Sequence, residues 1–191
     1  MTRVLVVGSS CSGKSTFAAG LSEVLSIPHI ELDALHHLED WVPRPIDEFR
    51  QLTDAATDGS DWIVDGNYSG LRETVWPKAT HLIWLNYSFP LVLYRGLKRT
   101  IKRVVTQEEL YSGNRESFRQ SFLSSDSVLL YMITHFGHRR RQYRRVFDGD
   151  GPWNMIMVEL RSPKAARAFL AEAARGLGAG FAPGNFPPNG S

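Results

Sequence analysis

Short apolar runs alternate with longer amphipathic stretches along most of the chain. The runs fall at residues 4–7, 29–32, 62–64, 81–85 and 155–158, and they are short and rich in Val, Ile, Leu and Trp. Between them, apolar positions recur at helical spacing over 14–25, 46–57, 89–105, 115–147 and 163–175. In the first helical stretch Phe17, Ala18, Leu21, Val24 and Leu25 share one side. Parallel strands need long crossovers, and strands that are nearly all apolar need cover on both faces. The pattern predicts an α/β fold in three layers, a parallel sheet with helices on both faces.

Two segments depart from the alternation. Residues 106–126, from Thr106-Gln107-Glu108-Glu109 to Asp126, form a polar insertion that reads as a mobile lid between two helices. Residues 176–191 are dominated by glycine and proline, which cannot continue a helix or a sheet, so a disordered tail is expected. A chain of 191 residues is a natural size for one compact core, and a single domain is expected over 1–175. No internal repeat is present.

Composition narrows this picture only slightly. With 42% hydrophobic and 22% charged residues, global disorder and a fibrous repeat are excluded. The formal net charge is +2, so the basic residues matter through where they cluster rather than through their total. Cys11 is the single cysteine, which rules out an internal disulfide and gives no reason to expect an oxidising compartment. No run approaches the roughly 18 apolar residues of a membrane span, and the opening residues lack a signal-like apolar core; a cytoplasmic location is expected. Asn67-Tyr68-Ser69 and Asn189-Gly190-Ser191 match the glycosylation sequon and carry no weight in that setting.

Candidate chemistry begins where the first apolar run ends. Gly8, Gly13, Lys14 and Ser15 meet the pattern G-x-x-x-x-G-K-[ST], with Ser9, Ser10, Cys11 and Ser12 between the glycines. Glycines let successive backbone N–H groups turn inward around phosphate oxygens, and the helix that follows aims its positive end at the same point. Lys14 would neutralise the β- and γ-phosphates, the Ser15 hydroxyl would join a magnesium shell, and Thr16 would reach the α-phosphate. The expected ligands are ATP and Mg2+. Cys11 reads as a small side chain that leaves the loop clear; the other reading is a redox-sensitive thiol, because Lys14 and a helix N-terminus both lower a thiol pKa.

In sheets of this kind ligands bind at the carboxyl ends of the strands, where three polar clusters stand: Glu31-Leu32-Asp33, Asp65-Gly66-Asn67-Tyr68 and Asn86-Tyr87-Ser88. Asp33 would orient an acceptor hydroxyl or amine or act as its general base, or else cap the next helix. Asp65 would hold a water of the metal shell, or else sit in a solvated turn. His36-His37 has no accompanying ligand pattern, which favours contact with an acceptor or packing beside Trp41 over a metal site.

The order of the phosphate loop, Glu31-Leu32-Asp33-Ala34-Leu35-His36-His37, Trp41-Val42-Pro43-Arg44-Pro45, Trp62-Ile63-Val64-Asp65-Gly66-Asn67-Tyr68 and Gly113-Asn114-Arg115-Glu116 resembles the nucleoside monophosphate kinase group over residues 3–172. Within it, the chain is most similar to the small adenylate-kinase-like proteins described as topology modulation proteins. The resemblance implies a P-loop fold with five parallel strands, an acceptor-binding insertion at about 34–60, and an arginine-bearing lid at about 106–126. It implies that Asp33 faces the acceptor with His36, Asn67 and Tyr68. Where adenylate kinases follow the corresponding Asp-Gly with an arginine that grips the acceptor phosphate, this chain has Asn67-Tyr68-Ser69, leaving Arg44 or Arg72 to supply that charge.

Arg95, Arg99 and Arg103 recur every four residues, and Arg115 and Arg119 repeat the spacing inside the lid. They read as charge that stabilises the moving phosphoryl group, or as a solvated helix face. The resemblance places Arg99 or Arg103 near the adenine and phosphates. The cluster His138-Arg139-Arg140-Arg141-Gln142-Tyr143-Arg144-Arg145 must leave some arginines exposed, because consecutive residues spread around a helix. It keeps two rivals open beside an ATP- and Mg2+-dependent phosphotransferase acting on a small-molecule or nucleotide acceptor. One is a nucleic-acid-associated ATPase or polynucleotide kinase. The other is a regulatory protein that binds ATP and transfers nothing.

Overall fold

A computed structural model of the chain describes residues 1–106, 112, 128–149 and 154–176. The elements in order are β1 (Arg3–Gly8), α1 (Lys14–Leu25), β2 (His29–Glu31), α2 (Leu32–His36), α3 (Ile46–Ala56), β3 (Trp62–Asp65), α4 (Arg72–Val75), β4 (His81–Leu85), α5 (Phe89–Thr106), α6 (Val128–Phe147), β5 (Ile156–Leu160) and α7 (Pro163–Arg175). The expected α/β class is found. Five strands form one sheet in the order β2-β3-β1-β4-β5, and every pairing is parallel.

Side chains alternate across the sheet with a period of two. On β1, Val4 and Val6 face one core while Leu5 and Val7 face the other. The first core takes Phe17, Ala18 and Leu21 from α1, Val92 from α5, and Ala166, Phe169 and Ala173 from α7. The second takes Phe49 from α3, Val75 from α4, and Tyr143 and Val146 from α6. Helices therefore cover both faces. The large buried rings of Trp62 and Trp84 anchor the second core, and each side chain of that size contributes roughly 2–3 kcal/mol on burial. The indole N–H of Trp62 is not stranded there, since it donates to the Thr57 carbonyl at 3.1 Å.

Local chemistry sets several boundaries. Helix α1 stops at Ser26, which adopts a left-handed conformation and returns its N–H to Ser22. Helix α7 starts from Ser162, whose Oγ accepts the Ala165 N–H at 3.1 Å with a proline in the first turn. The second apolar run yields a strand of only 3 residues, because the chain turns helical at Leu32. The cap of that helix is Glu31, so Asp33 lies in the first turn and is not the capping residue. The last strand ends two residues beyond the apolar run, at Leu160, just past Glu159, which the sheet buries.

The helical stretch expected from 115 is described from Val128 onward. Apart from Thr106 and Ser112, the expected lid at 106–126, with Arg115 and Arg119, lies outside the described residues, as does the tail beyond Gly176. Among the described residues no helix is long and apolar enough to cross a membrane.

Candidate functional site

The loop between β1 and α1 sits at the carboxyl edge of the sheet, beside β3 and β4. Gly8 has φ +153°, and a Cβ there would stand 2.8 Å from the Leu85 carbonyl oxygen, so only glycine lets the strand pass this closely into the loop. Gly13, at φ 90° and ψ 29°, precedes α1 without any side-chain cap. The first N–H groups of α1 are thus left to face whatever occupies the loop, with the positive end of the helix dipole behind them. Cys11, at φ 63°, shares the left-handed conformation, and the loop closes on itself through Ser12 N–H to Ser9 O at 3.2 Å.

Lys14 is half-buried, and its Nζ donates to the Ser9 carbonyl at 3.3 Å. Burial pushes its pKa below the ordinary lysine value, opposed by the attraction of Asp33 and Asp65. An ammonium so placed gains from any anion that enters. The next residue, Ser15, donates its hydroxyl to Asp65 Oδ2 at 2.5 Å, and His29 Nε2 lies 3.2 Å from Asp65 Oδ1. Asp65 is 4% exposed at the end of β3, so it is not a solvated turn residue. A hydroxyl and a carboxylate side by side are hard oxygen donors of the kind magnesium takes, and the donor set fits that ion. Among the described residues no three His, Cys, Asp or Glu side chains are grouped to hold a metal, His36 and His37 included.

Lys14 and Ser15 open onto a cleft of about 970 Å³. Its floor is the loop from Ser10 to Thr16. Asp33, His37 and Trp41 also line it, as do Arg95, Arg99 and Arg103 of α5 and Arg167 of α7. The Asp33 carboxylate is exposed and held by Tyr68, whose hydroxyl donates to Oδ1 at 2.7 Å. Arg95 donates to the Ser12 carbonyl at 2.8 Å and stacks over Tyr87, fastening α5 to the loop.

The remaining sequence candidates stand elsewhere. His36 packs between Phe49 and Tyr68, with ring centroids 4.8 and 4.6 Å away, and burial together with His37 lowers its pKa. Its neighbour His37 lines the cleft instead. Arg44 braces the insertion by donating to the Leu35 carbonyl and pairing with Glu48. Arg72 stacks over Trp76, 4.5 Å from the ring, beside a separate small cavity. Asn67 turns its amide to the backbone of Gly8. From the basic cluster, Arg139 donates to the Asn67 carbonyl and Arg144 to Glu159, while Arg140, Arg141 and Arg145 are exposed.

Arg167 and His29 carry no sequence signal as site residues, and Trp41 stands out only within the Trp41-Val42-Pro43-Arg44-Pro45 stretch and as a packing neighbour of His36-His37. An isolated basic residue on a surface helix and ordinary aromatic or imidazole positions carry no spacing pattern. Arg95 and Tyr87 did leave a trace, in the four-residue arginine repeat and in the polar cluster after the fourth strand.

No protein-family model matches the chain, and no curated protein does. Among solved structures, a gluconokinase from Sinorhizobium meliloti 1021 is 20% identical, with 93% of this chain and 91% of that one covered and a TM-score of 0.50. A shikimate kinase from Aquifex aeolicus vf5 is 15% identical over 94% and 100% of the two chains, with a TM-score of 0.52. A shikimate kinase from Acinetobacter baumannii, in complex with shikimate, is 13% identical over 90% of each, with a TM-score of 0.54. At such identities the common property is architecture, and with the strand order and the loop at its edge it leads to one conclusion: this chain has the P-loop nucleoside/nucleotide kinase-like fold.

Proposed function

We propose that the chain is a cytoplasmic phosphotransferase that moves the γ-phosphoryl group of ATP to a hydroxyl of a small-molecule acceptor. One observation carries the reading: Lys14 and the open end of α1 line a single cleft together with an exposed carboxylate, Asp33. The loop amides and Lys14 bind the polyphosphate. Asp33, steadied by Tyr68, orients the acceptor hydroxyl and takes its proton, while Arg99 and Arg103 cover the charge of the transferred group. Magnesium, held by Ser15 and through water by Asp65, would neutralise the β- and γ-phosphates. Arg115 and Arg119 belong to the same reading as lid residues. Catalysis of this kind is mainly positioning and electrostatic stabilisation.

The test is ADP release from ATP and Mg2+ with sugars, cyclitols, nucleosides, nucleoside monophosphates and oligonucleotides offered in turn. A small hydroxyl acceptor should raise the rate at least tenfold above the acceptor-free baseline. Stimulation by oligonucleotides alone would favour the nucleic-acid rival, and a flat response throughout would leave a nucleotide-binding protein without transferase activity.

A further inference from the structure

The proposed chemistry leaves Asn67 without a task, yet its contacts are specific. Strand β3 pairs with β1 as far as Asp65 opposite Val6, and at Gly66, with φ +146°, the chain turns out of the sheet. The backbone of β3 therefore supplies no rung to Gly8, the first residue of the phosphate loop. The Asn67 side chain supplies it instead: Nδ2 donates to the Gly8 carbonyl at 2.5 Å, and the Gly8 N–H points to Oδ1 at 3.4 Å. A primary amide offers the same donor and acceptor pair as a peptide group, which neither aspartate nor leucine can do at the same size.

The orientation of that amide is itself fixed. Tyr143 of α6 donates its hydroxyl to Asn67 Oδ1 at 2.8 Å. It is 2% exposed, and burial raises its pKa above the ordinary tyrosine value, so the hydroxyl keeps its proton and remains a donor. One turn earlier on the same helix, Arg139 donates to the Asn67 backbone carbonyl at 3.0 Å. Residues 59 and 76 positions apart in sequence thus converge on one amide.

We propose that Asn67 and Tyr143 are positioning residues for the phosphate loop: the Asn67 amide holds Gly8 in place, and Tyr143 ties that hold to the seating of α6. The inference rests on the loop's role as a polyphosphate cradle. It makes the grip on nucleotide depend on the helix that follows the arginine-bearing segment, through two side chains that need not touch the nucleotide.

The experiment is a double-mutant cycle on the full chain, reading the dissociation constant of ATP with Mg2+ by calorimetry for wild type, Asn67→Ala, Tyr143→Phe and the double variant. Tyr143→Phe removes one oxygen and keeps the ring packed near Trp84. Asn67→Ala should weaken ATP at least tenfold. Tyr143→Phe should weaken it at least threefold alone and not at all in the Asn67→Ala background. In nucleotide-free protein, exchange of the Gly8 amide should quicken in Asn67→Ala while exchange in β1 and β4 stays slow. Asn67→Asp, which keeps the volume and loses the donor, gives the same readout should the alanine variant not fold. An Asn67→Ala affinity within twofold of wild type overturns the proposal, as does an equal loss from Tyr143→Phe in both backgrounds, which would mark core packing alone. Wild-type protein that takes up no ATP overturns this inference and the phosphate-loop reading together.

Discussion

Asp33 and Lys14 line the same cleft with opposite charges, and their surroundings suit each to a different task. Lys14 is half-buried, so its charge is costly until an anion arrives, whereas Asp33 stays in water with one oxygen held by Tyr68. In the proposed reaction the first arrangement favours a polyphosphate, and the second gives one carboxylate oxygen a fixed direction. Replacing Asp33 by asparagine keeps the shape and removes the proposed base. We expect turnover with the acceptor found in the screen to fall by about 10²–10⁴ while ATP affinity changes less than threefold; matching losses in both would assign Asp33 to nucleotide binding instead. Lys14 and Ser15 were legible in the sequence because the phosphate-loop pattern ties residue type to a fixed spacing. The task of Asn67 was not, because its partners Gly8 and Tyr143 are distant in sequence and a side chain that mimics a backbone rung leaves no periodic mark.

Among the elements, β5 carries a charged group into the sheet and shows how its end is secured. Glu159 accepts from Asn86 Nδ2 at 2.5 Å, from Arg144 of α6 at 2.8 Å and from Arg161 at 3.0 Å. Burial alone would push its carboxyl up, but the hydrogen bonds from Arg161, Asn86 and Arg144 outweigh that and hold it at about 2. A carboxyl held below its unfolded value of 4.5 adds stability that is complete above that pH and is lost as the pH falls from 4.5 towards 2. Both arginines are more than a third exposed, so water screens much of the pairing. Glu159→Gln should therefore lower stability at pH 7 by about 1–3 kcal/mol in urea unfolding, and flatten the decline between pH 4.5 and 3. An unchanged midpoint and an unchanged acid profile would reduce the network to surface decoration. At this scale the sequence was readable wherever periodicity was strong: the stretch 163–175 is found as a helix with those ends, as is the run 81–85 as a strand. Ends set by tertiary pairing, such as Leu160, or by an early turn into helix, such as Leu32, moved by one or two residues.

For the whole molecule, the sheet order places β1 between β3 and β4, so the loop after β1 lies at the centre of the carboxyl edge with polar strand ends on either side. That placement brings Asp65 to Ser15 and puts the arginines of α5 in the same cleft as the loop. The class and the alternation of elements followed from hydrophobic period, since period and crossover length alone call for a covered parallel sheet. The partition of arginines did not: Arg99 and Arg103 reach the cleft, while Arg72 and Arg44 are taken up by Trp76 and Glu48, and only packing decides between such fates. The central claim is that this edge is a polyphosphate cradle, and the most direct test is calorimetric titration of ATP with Mg2+ into wild-type protein and Lys14→Ala. We expect saturable one-site binding by wild type and a loss of at least tenfold, about 1.4 kcal/mol, in the variant, with unchanged circular dichroism. No heat of binding to wild type at millimolar ATP, or equal affinity in the two proteins, would contradict the account.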